Sequence, residues 1–416
     1  MKARRFAAAL CVVPAIALSA CGDDDKSSSD SGGGGAKGGK VTVYSSLPLQ
    51  GASRPQSEDV IKGIKLALKQ ANNKAGDVTV AYKSLDDSTA SAGKWEAGQV
   101  GQNARKVAQD KSAIAYIGEF NSGASAISIP TTNEAGILQV SPSNTALGLT
   151  KGGAGAEPGE PTKYYPTGKR TYGRVVPIDT IQGAAQATFM KDEGVSSVYI
   201  LNDTEVYGKG VAANTKSAAE KVGLKVAGED SWDGKAANYR ALAGKIKSSG
   251  ADAVFIGGII DNNAVQLAKD IYAAAPQIKQ FGPDGNATVD FVKELPAGVQ
   301  KVTFLTAPTV SPDELGPAGK KFYADYEAEY NEPQDETDPY AIYGYEAMSV
   351  VLKAIEKGGT DKQKVIDAFF ATKGRSSALG TYDIDKDGDT TLTTYGGYTA
   401  KGGKLTFDRV IKAATS

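Results

Sequence analysis

Histidine is absent from this chain of 416 residues, and cysteine occurs only at positions 11 and 21. The absence of histidine excludes Ser/His/Asp and Cys/His catalysis, and it also excludes His-ligated zinc. Because Cys11 and Cys21 both lie near the start, the rest of the chain has neither a disulfide nor a thiolate nucleophile. The chain carries almost no net charge, since 47 basic residues face 48 acidic ones. The composition therefore gives no indication of a basic surface that would bind nucleic acid.

The N-terminal residues predict export and attachment to a membrane. Three basic residues among the first five precede an apolar run, residues 6–18, that is too short to span a bilayer. The next residues, LSAC ending at Cys21, resemble the bacterial lipobox, in which cleavage precedes a lipidated cysteine. We predict a signal peptide over 1–20, then lipidated Cys21 and a flexible tether over 21–40, which place the protein on the outer face of the cell membrane. An ordinary signal peptide with an incidental cysteine is the alternative.

From residue 41 onward, strand patterns alternate with helical patterns. Runs rich in β-branched residues, such as 41–47, precede segments with apolar residues every three to four positions, such as 59–72. Such alternation predicts parallel sheets covered by helices. Two series of these units predict an α/β fold with two doubly wound parallel-sheet lobes, a cleft between them and a three-segment hinge. The predicted residues are 41–175 plus 307–378 for lobe I, and 176–306 plus 379–416 for lobe II.

The stretch 115–145 contains two polar loops, and each loop follows a predicted strand. The carboxyl ends of parallel strands meet at one edge of a sheet, where open α/β sheets bind ligands. We therefore expect Ser122, Ser143 and Thr145 to lie side by side, with hydroxyl and backbone N–H groups aimed at one point. Such groups suit a small anion, for example a carboxylate. The alternative is that all three residues only cap helices.

Several segments together resemble the branched-chain amino acid binding proteins of ABC importers. These segments are the lipobox, VTVYSSLPLQGASRPQSEDVIKGIKLAL, SGAS with SPSNT, NDTEVYGKG and FGPDG, in the expected order. The resemblance covers essentially residues 41–410. The resemblance implies a type I periplasmic-binding-protein fold and delivery of a small-molecule ligand to ABC permease subunits. It also implies that Ser122, Ser143 and Thr145 hold the α-carboxylate of the ligand and that Asp284 holds its α-ammonium group.

The other site positions implied by the resemblance include two departures from the family pattern. Asp284 stands where a glutamate is more usual, and Ile259 stands where an aromatic residue closes over the ligand. Tyr207 matches a tyrosine of the far lobe, and Gln56 lies where an aromatic lid is often found. Alternatively, Asp284 is a turn residue of Pro-Asp-Gly, and Tyr207 serves packing only.

These observations predict a non-enzymatic, exported receptor for a small amino acid or related carboxylate, with no cofactor and no metal. The acidic run 383–387 mimics the start of a calcium loop, but its twelfth position lacks the glutamate, so we predict a hairpin turn. The Gly/Pro/Tyr-rich insertion 151–170 predicts a loop, either a flap or an unstructured excursion. Three alternative functions remain open: a receptor for amides, urea or aromatic acids, a lipoprotein sensor, and an exported hydrolase.

Overall fold

A computed structural model describes residues 38–413 of the chain. The predicted signal peptide, Cys21 and nearly all of the predicted tether lie outside the described residues. None of the helices within residues 38–413 has the length and apolar character needed to cross a bilayer.

The strands are β1 (Lys40–Leu47), β2 (Lys74–Ala75), β3 (Val78–Asp86), β4 (Ser88–Thr89), β5 (Lys94–Trp95), β6 (Ala113–Gly118), β7 (Leu138–Ser141), β8 (Tyr172–Arg174), β9 (Ser197–Asn202), β10 (Lys225–Ser231), β11 (Ala253–Gly257), β12 (Lys279–Gly282), β13 (Thr303–Ala307), β14 (Arg375–Ser377), β15 (Gly380–Tyr382), β16 (Thr394–Lys401) and β17 (Lys404–Lys412). The helices are α1 (Arg54–Gln70), α2 (Ala97–Gln109), α3 (Ser122–Glu134), α4 (Asp179–Asp192), α5 (Val206–Lys221), α6 (Arg240–Ser249), α7 (Ala264–Ala274), α8 (Val289–Glu294), α9 (Ala297–Gln300), α10 (Pro317–Tyr330), α11 (Ala341–Gly358) and α12 (Lys362–Phe370).

The first sheet has the strand order β2-β3-β1-β6-β7-β8, and only the β2–β3 pair is antiparallel. Its strand β6 is apolar throughout because both faces of the sheet are covered. Successive side chains of a strand point to opposite faces. Ala115 accordingly joins the core formed with α1, α11 and α12, whereas Tyr116 packs on the other face with Val107 of α2.

The second sheet has the strand order β10-β9-β11-β12-β13-β16-β17, with antiparallel pairing from β13 onward. It is also covered on both faces. Val198 and Ile200 of β9 pack with α4 and α5, whereas Tyr199 and Leu201 pack with α6 and α7. The β9 sequence is therefore a continuous apolar run, as expected for a buried parallel strand.

Each sheet changes the direction of its winding at one strand. In the first sheet, β1 lies between β3 and β6, and in the second sheet, β9 lies between β10 and β11. The loops that leave neighbouring strands at such a point turn to opposite faces, which opens a crevice at the carboxyl ends of the strands. The loops after β1, β6, β9 and β11 lie at these two crevices.

The two parallel-sheet lobes predicted from the sequence are confirmed, whereas individual helix ends differ. The helix predicted at 59–72 begins earlier, at Arg54, because Pro55 is compatible with the first turn of a helix. The exact boundaries of the lobes stay predictions. Tyr382 and Ile384 lie in the segment predicted for lobe II, yet they pack in the core with the first sheet.

The insertion 151–170 is irregular apart from one short 3-10 turn, Thr162–Tyr164. Tyr164 and Tyr165 are buried against Tyr172 and neighbouring residues of the first-sheet part. At its other end, the carbonyl oxygen of Ala154 accepts a hydrogen bond of 3.0 Å from Asn214 Nδ2 of α5. The insertion is thus a packed segment that contacts both parts of the fold.

Candidate functional site

The loops that follow β6 and β7 are joined to each other by hydrogen bonds. Ser143 Oγ donates to the carbonyl oxygen of Phe120 at 2.8 Å, and Ser122 Oγ accepts from the backbone N–H of Ala146 at 3.4 Å. Ser122, Ser143 and Thr145 are all buried. The structure therefore brings together the three residues predicted to hold a carboxylate.

The three residues offer different groups. Ser122 is the first residue of α3, where backbone N–H groups lack partners within the helix, and its hydroxyl proton remains available to donate. Thr145 Oγ1 has no hydrogen-bond partner among residues 38–413. Ser143 differs from the expectation, because its hydroxyl proton is already donated to Phe120. Ser122 and Thr145 are thus the available groups, and Ser143 braces the two loops.

Arg174 anchors the loop that follows β7. Its Nη1 donates to the carbonyl oxygens of Asn144 and Ala146, both at 2.9 Å, and its Nε donates to Asp389 Oδ1 at 2.8 Å. Both Arg174 and Asp389 are buried. Asp389 ends the acidic turn 383–389, in which Asp385 Oδ1 accepts two backbone N–H bonds. The acidic turn is therefore an anchor for the loop that carries Thr145.

On the opposite side of the site, the carboxylate of Asp284 accepts hydrogen bonds from three side chains. Tyr207 Oη donates to Oδ1 at 2.5 Å, Gln182 Nε2 donates to Oδ1 at 2.6 Å, and Tyr340 Oη donates to Oδ2. Burial raises the pKa of Asp284, and the three hydrogen bonds lower it. Tyr340 also packs its ring edge-on against Phe120, with centroids 5.4 Å apart. Tyr340 thus connects Asp284 to the loop after β6.

Tyr207 and Ile259 lie next to Asp284 around a glycine. A Cβ atom on Gly285 would lie 2.8 Å from Tyr207 Cε1 and 3.0 Å from Ile259 Cγ2, so only glycine fits without a shift. Gln56 is the predicted site residue that lies elsewhere. It is buried within reach of the Asp338 side chain, and it lines a separate cavity of about 240 Å³.

Asp179 was not predicted as a site residue. Its backbone N–H donates to the carbonyl oxygen of Thr145 at 2.8 Å, which fixes it beside the loop that follows β7. Its side chain is fully buried and lies next to the Thr145 hydroxyl. Burial raises the pKa of Asp179 to about 8; the Thr145 hydroxyl lowers it, Asp284 raises it and Arg174 lowers it. In the sequence, an Asp at the start of a helix indicates only a favourable interaction with the helix dipole.

The raised pKa of Asp179 predicts that the ligand-free protein loses stability as pH rises. The unfolded chain releases this proton near its ordinary pKa of 3.8, whereas the folded chain keeps it up to about pH 8. Between these values the folded state binds more protons, so the free energy of unfolding falls by up to about 1.4 kcal/mol per pH unit for this group. Above pH 8 the decrease ends.

Urea unfolding of wild type and Asp179→Asn between pH 5 and pH 9 measures this effect. The amide keeps the shape of the protonated carboxyl group but does not titrate. We expect the free energy of unfolding of the variant, relative to that of wild type, to increase with pH up to about pH 8. Above pH 8 the difference should stay constant. A difference that is independent of pH would contradict the assignment of the titrating group.

Trp95 was also not predicted, and it covers the start of α3. A Cβ atom on Gly123 would lie 3.0 Å from Trp95 Cζ2, so the indole ring packs directly on the helix start. Trp95 Nε1 donates to Glu205 Oε2 at 3.1 Å, and Lys94 Nζ pairs with Glu205 Oε1 at 2.6 Å. Because Glu205 follows β9, these bonds connect the edges of the two sheets across the site.

A second set of bonds connects the same edges. Asp261 follows β11, and its Oδ1 accepts the backbone N–H groups of Ala52 and Ser53 at 2.8 and 3.1 Å. Its Oδ2 accepts the Ser53 hydroxyl. In this structure the loops at the two crevices are therefore in contact, and the residues between them are buried.

Known proteins are similar to this chain in sequence. The family described as "Periplasmic binding protein" matches residues 40–404. The Leu/Ile/Val-binding protein BraC3 of Rhizobium johnstonii is 28% identical over 375 residues, which are 88% of this chain and 93% of that protein.

Two solved structures illustrate the similarity of fold. The leucine binding protein LivK from Thermotoga maritima has a TM-score of 0.78 at 22% identity, covering 89% of this chain and 99% of its own. A solute binding protein of an ABC transporter from R. palustris in complex with benzoate has a TM-score of 0.71 at 18% identity, covering 91% and 98%. Both similarities agree with the type I periplasmic-binding-protein fold expected from the sequence.

Proposed function

Because the chain belongs to the periplasmic binding protein family, we propose that it captures a small amino acid for an ABC importer. It passes the ligand to the permease subunits and catalyses no reaction. The observation that carries this proposal is the pairing of a carboxylate-holding edge, Ser122 and Thr145, with an acidic group at Asp284 on the other side. Relatives named as Leu/Ile/Val-binding proteins support a zwitterionic ligand.

In the proposed complex, the α-carboxylate lies at the start of α3. The N–H groups and hydroxyl of Ser122 and the hydroxyl of Thr145 donate to it, while Ser143 keeps the two loops together. The ammonium group lies toward Tyr207 and Asp284, and Ile259 contacts the ligand side chain. Charge-assisted hydrogen bonds in a buried site discriminate strongly, because a ligand that lacks one of these groups leaves buried polar atoms unpaired.

We also propose that the protein is exported and held at the outer face of the cell membrane by a lipid on Cys21. The family supports an extracytoplasmic protein, and the residues LSAC before and at Cys21 support the lipid anchor. Metabolic labelling with a fatty-acid analogue tests the anchor, and Cys21→Ala is the control that should abolish labelling.

A thermal-shift panel tests the proposed ligand class. The panel consists of leucine, isoleucine, valine, other amino acids, urea, acetamide, benzoate and glucose. An amino acid present at 100 times its Kd should stabilise the protein by about 2.7 kcal/mol, whereas urea and glucose should not shift the melting temperature. Absence of a shift with every amino acid would refute the proposed ligand class.

We predict that Asp261→Asn weakens binding of the best ligand in that panel about tenfold. The substitution removes the charge that accepts three donors from Ala52 and Ser53, and these bonds form only when the two sheet edges meet. If the closed form, in which the two sheet edges meet, loses about 1.4 kcal/mol of its stability, the Kd of the ligand rises tenfold. Isothermal titration calorimetry measures the change, with Asp408→Asn on the exposed edge of β17 as the control that should leave Kd unchanged.

One observation favours a second candidate, a receptor for aromatic carboxylic acids. Ile259 leaves the side-chain region without the aromatic residue expected there, and a structural neighbour was solved with benzoate. A shift with benzoate but with no amino acid would select this candidate. Mass spectrometry of incubated ligands tests the third possibility, a hydrolase, which requires turnover.

A further inference from the structure

The proposed function gives no role to the insertion 151–170, yet the insertion is attached at both ends to the first-sheet part. At its start, Lys151 Nζ pairs in the acidic turn with Asp385 Oδ2 at 2.7 Å and with Asp389 Oδ2 at 3.0 Å. Near its end, Thr167 Oγ1 donates to Asn133 Oδ1 of α3 at 2.7 Å. These bonds fix both ends of the insertion on the same part of the fold.

The middle of the insertion is braced as well. Tyr165 Oη donates to the carbonyl oxygen of Leu149 at 2.7 Å, and Tyr165 is itself buried beside β8. The carboxylate of Glu160 accepts the backbone N–H of Glu157 at 2.8 Å. An insertion held at this many points moves together with the first-sheet part.

One short piece of the insertion reaches the other lobe. Asn214 Nδ2 of α5 donates to the carbonyl oxygen of Ala154 at 3.0 Å and to that of Gly210 at 2.9 Å. The next residue, Gly155, packs directly on α5, because a Cβ atom on it would lie 2.8 Å from the carbonyl oxygen of Gly210. Helix α5 packs on the second sheet. This tip contact, formed by Ala154 and Gly155 with α5, therefore exists only while the two lobes are close together.

Beside the tip contact, the insertion stands away from the second lobe. A cavity of about 790 Å³ separates Gly152 from Ile181 of α4 and from Val222. The tip contact is thus a local bridge, and a small displacement of residue 155 can break it.

We infer that the insertion, through its tip contact, stabilises the closed form and sets the rate at which a bound ligand is released. This inference rests on the proposed function, the capture of an amino acid between the two lobes. The ligand enters the open form, in which the tip contact is absent, so the association rate does not depend on that contact. Release requires the closed form to open, and opening breaks the tip contact.

The test compares Gly155→Ala with Gly159→Ala. Both glycines lie in the insertion with positive φ angles, 83° and 82°, so alanine strains the backbone in the same way at both positions. Only at residue 155 does the added Cβ atom meet α5. At residue 159, no atom of residues 38–413 beyond the chain neighbours lies within 4 Å of the added Cβ position. The difference between the two variants therefore reports the tip contact alone.

Stopped-flow tryptophan fluorescence gives the association and dissociation rates of leucine, because Trp95 packs on the start of α3. Another amino acid of the thermal-shift panel replaces leucine if it gives the larger shift. We expect Gly155→Ala to release leucine at least about fivefold faster than wild type, with an association rate within about twofold. Gly159→Ala should keep both rates within about twofold of wild type.

A second variant, Asn214→Ala, removes the donor to Ala154 without adding an atom to the insertion. It should also speed release. Combining it with Gly155→Ala should give little further change, because both substitutions break the same contact.

Equal dissociation rates for Gly155→Ala and Gly159→Ala would overturn the inference alone. Slower association of Gly155→Ala at an unchanged dissociation rate would also overturn it, since the tip contact would then act in the open form. A wild type that binds neither leucine nor any other amino acid of the panel would overturn the proposed function and the inference together.

Discussion

Replacing Arg174 with methionine should lower the free energy of unfolding by about 3 kcal/mol. The fully buried guanidinium group donates to Asp389 Oδ1, to the carbonyl oxygens of Asn144 and Ala146, and to Thr150 Oγ1 at 2.6 Å. Removing one partner of a buried ion pair leaves an uncompensated charge, which costs about 3–5 kcal/mol. We expect the lower end of this range, because Lys151 Nζ still pairs with Asp389 Oδ2 at 3.0 Å.

Urea unfolding measured by circular dichroism gives the change, and two further variants define its cause. Arg54→Met makes the same substitution at an exposed arginine that pairs with Glu58. It should change the free energy of unfolding by less than about 1 kcal/mol. The double variant Arg174→Met with Asp389→Asn should recover part of the loss, because it removes the unpaired charge. A loss below 1 kcal/mol for Arg174→Met would mean that the buried pair does not hold the loop.

The same variant should also weaken ligand binding. Arg174 is bonded to the backbone on both sides of Thr145, so its loss lets the second loop move relative to α3. Calorimetry at a temperature where the variant is fully folded separates this effect from unfolding.

Asp284→Asn should weaken binding of the best ligand at least about 100-fold. An amide at this position keeps one acceptor oxygen but turns an NH₂ group toward donors from Tyr207, Gln182 or Tyr340. A hydrogen bond to a charged group contributes about 1.5–3 kcal/mol, and about 2.7 kcal/mol corresponds to 100-fold in Kd. Because the proposed position of the ammonium group lies toward Asp284, leucine should lose more affinity than its deaminated analogue 4-methylpentanoate.

The control for Asp284→Asn is Asp313→Asn, which removes a carboxylate from an exposed position. Its Kd should equal that of wild type. Melting temperatures of both ligand-free variants must be recorded, because Asp284 also satisfies three buried donors. Binding by Asp284→Asn within threefold of wild type would show that this carboxylate does not organise the site.

The sequence predicted the first half of the site because that half is local in the chain. Ser122, Ser143 and Thr145 follow two strands that are consecutive and parallel, so their loops meet wherever the sheet forms. Gln56 was placed by resemblance to the family alone, and its role in the site stays a prediction. Helix α1 begins at Arg54, so Gln56 lies in a helix and faces Asp338.

The second half of the site joins residues that are distant in the chain. Asp284 and Tyr340 are separated by 56 residues, and Trp95 and Glu205 by 110. Their contacts depend on how the edges of two separate sheets approach each other. No pattern of apolar residues reports that approach, because side-chain periodicity describes only the faces of single elements.

The sequence alone predicted an α/β chain of two parallel-sheet lobes, and it predicted that the loops carrying Ser122, Ser143 and Thr145 lie together. Hydrophobic periodicity and the order of strands and helices decide these features, since both act over neighbouring residues. Only the tertiary structure decided that Asp284 accepts hydrogen bonds from three side chains and that Asp179 is buried beside Thr145. The partners of these buried carboxyl groups come from distant segments of the chain, so packing and not local sequence determines them.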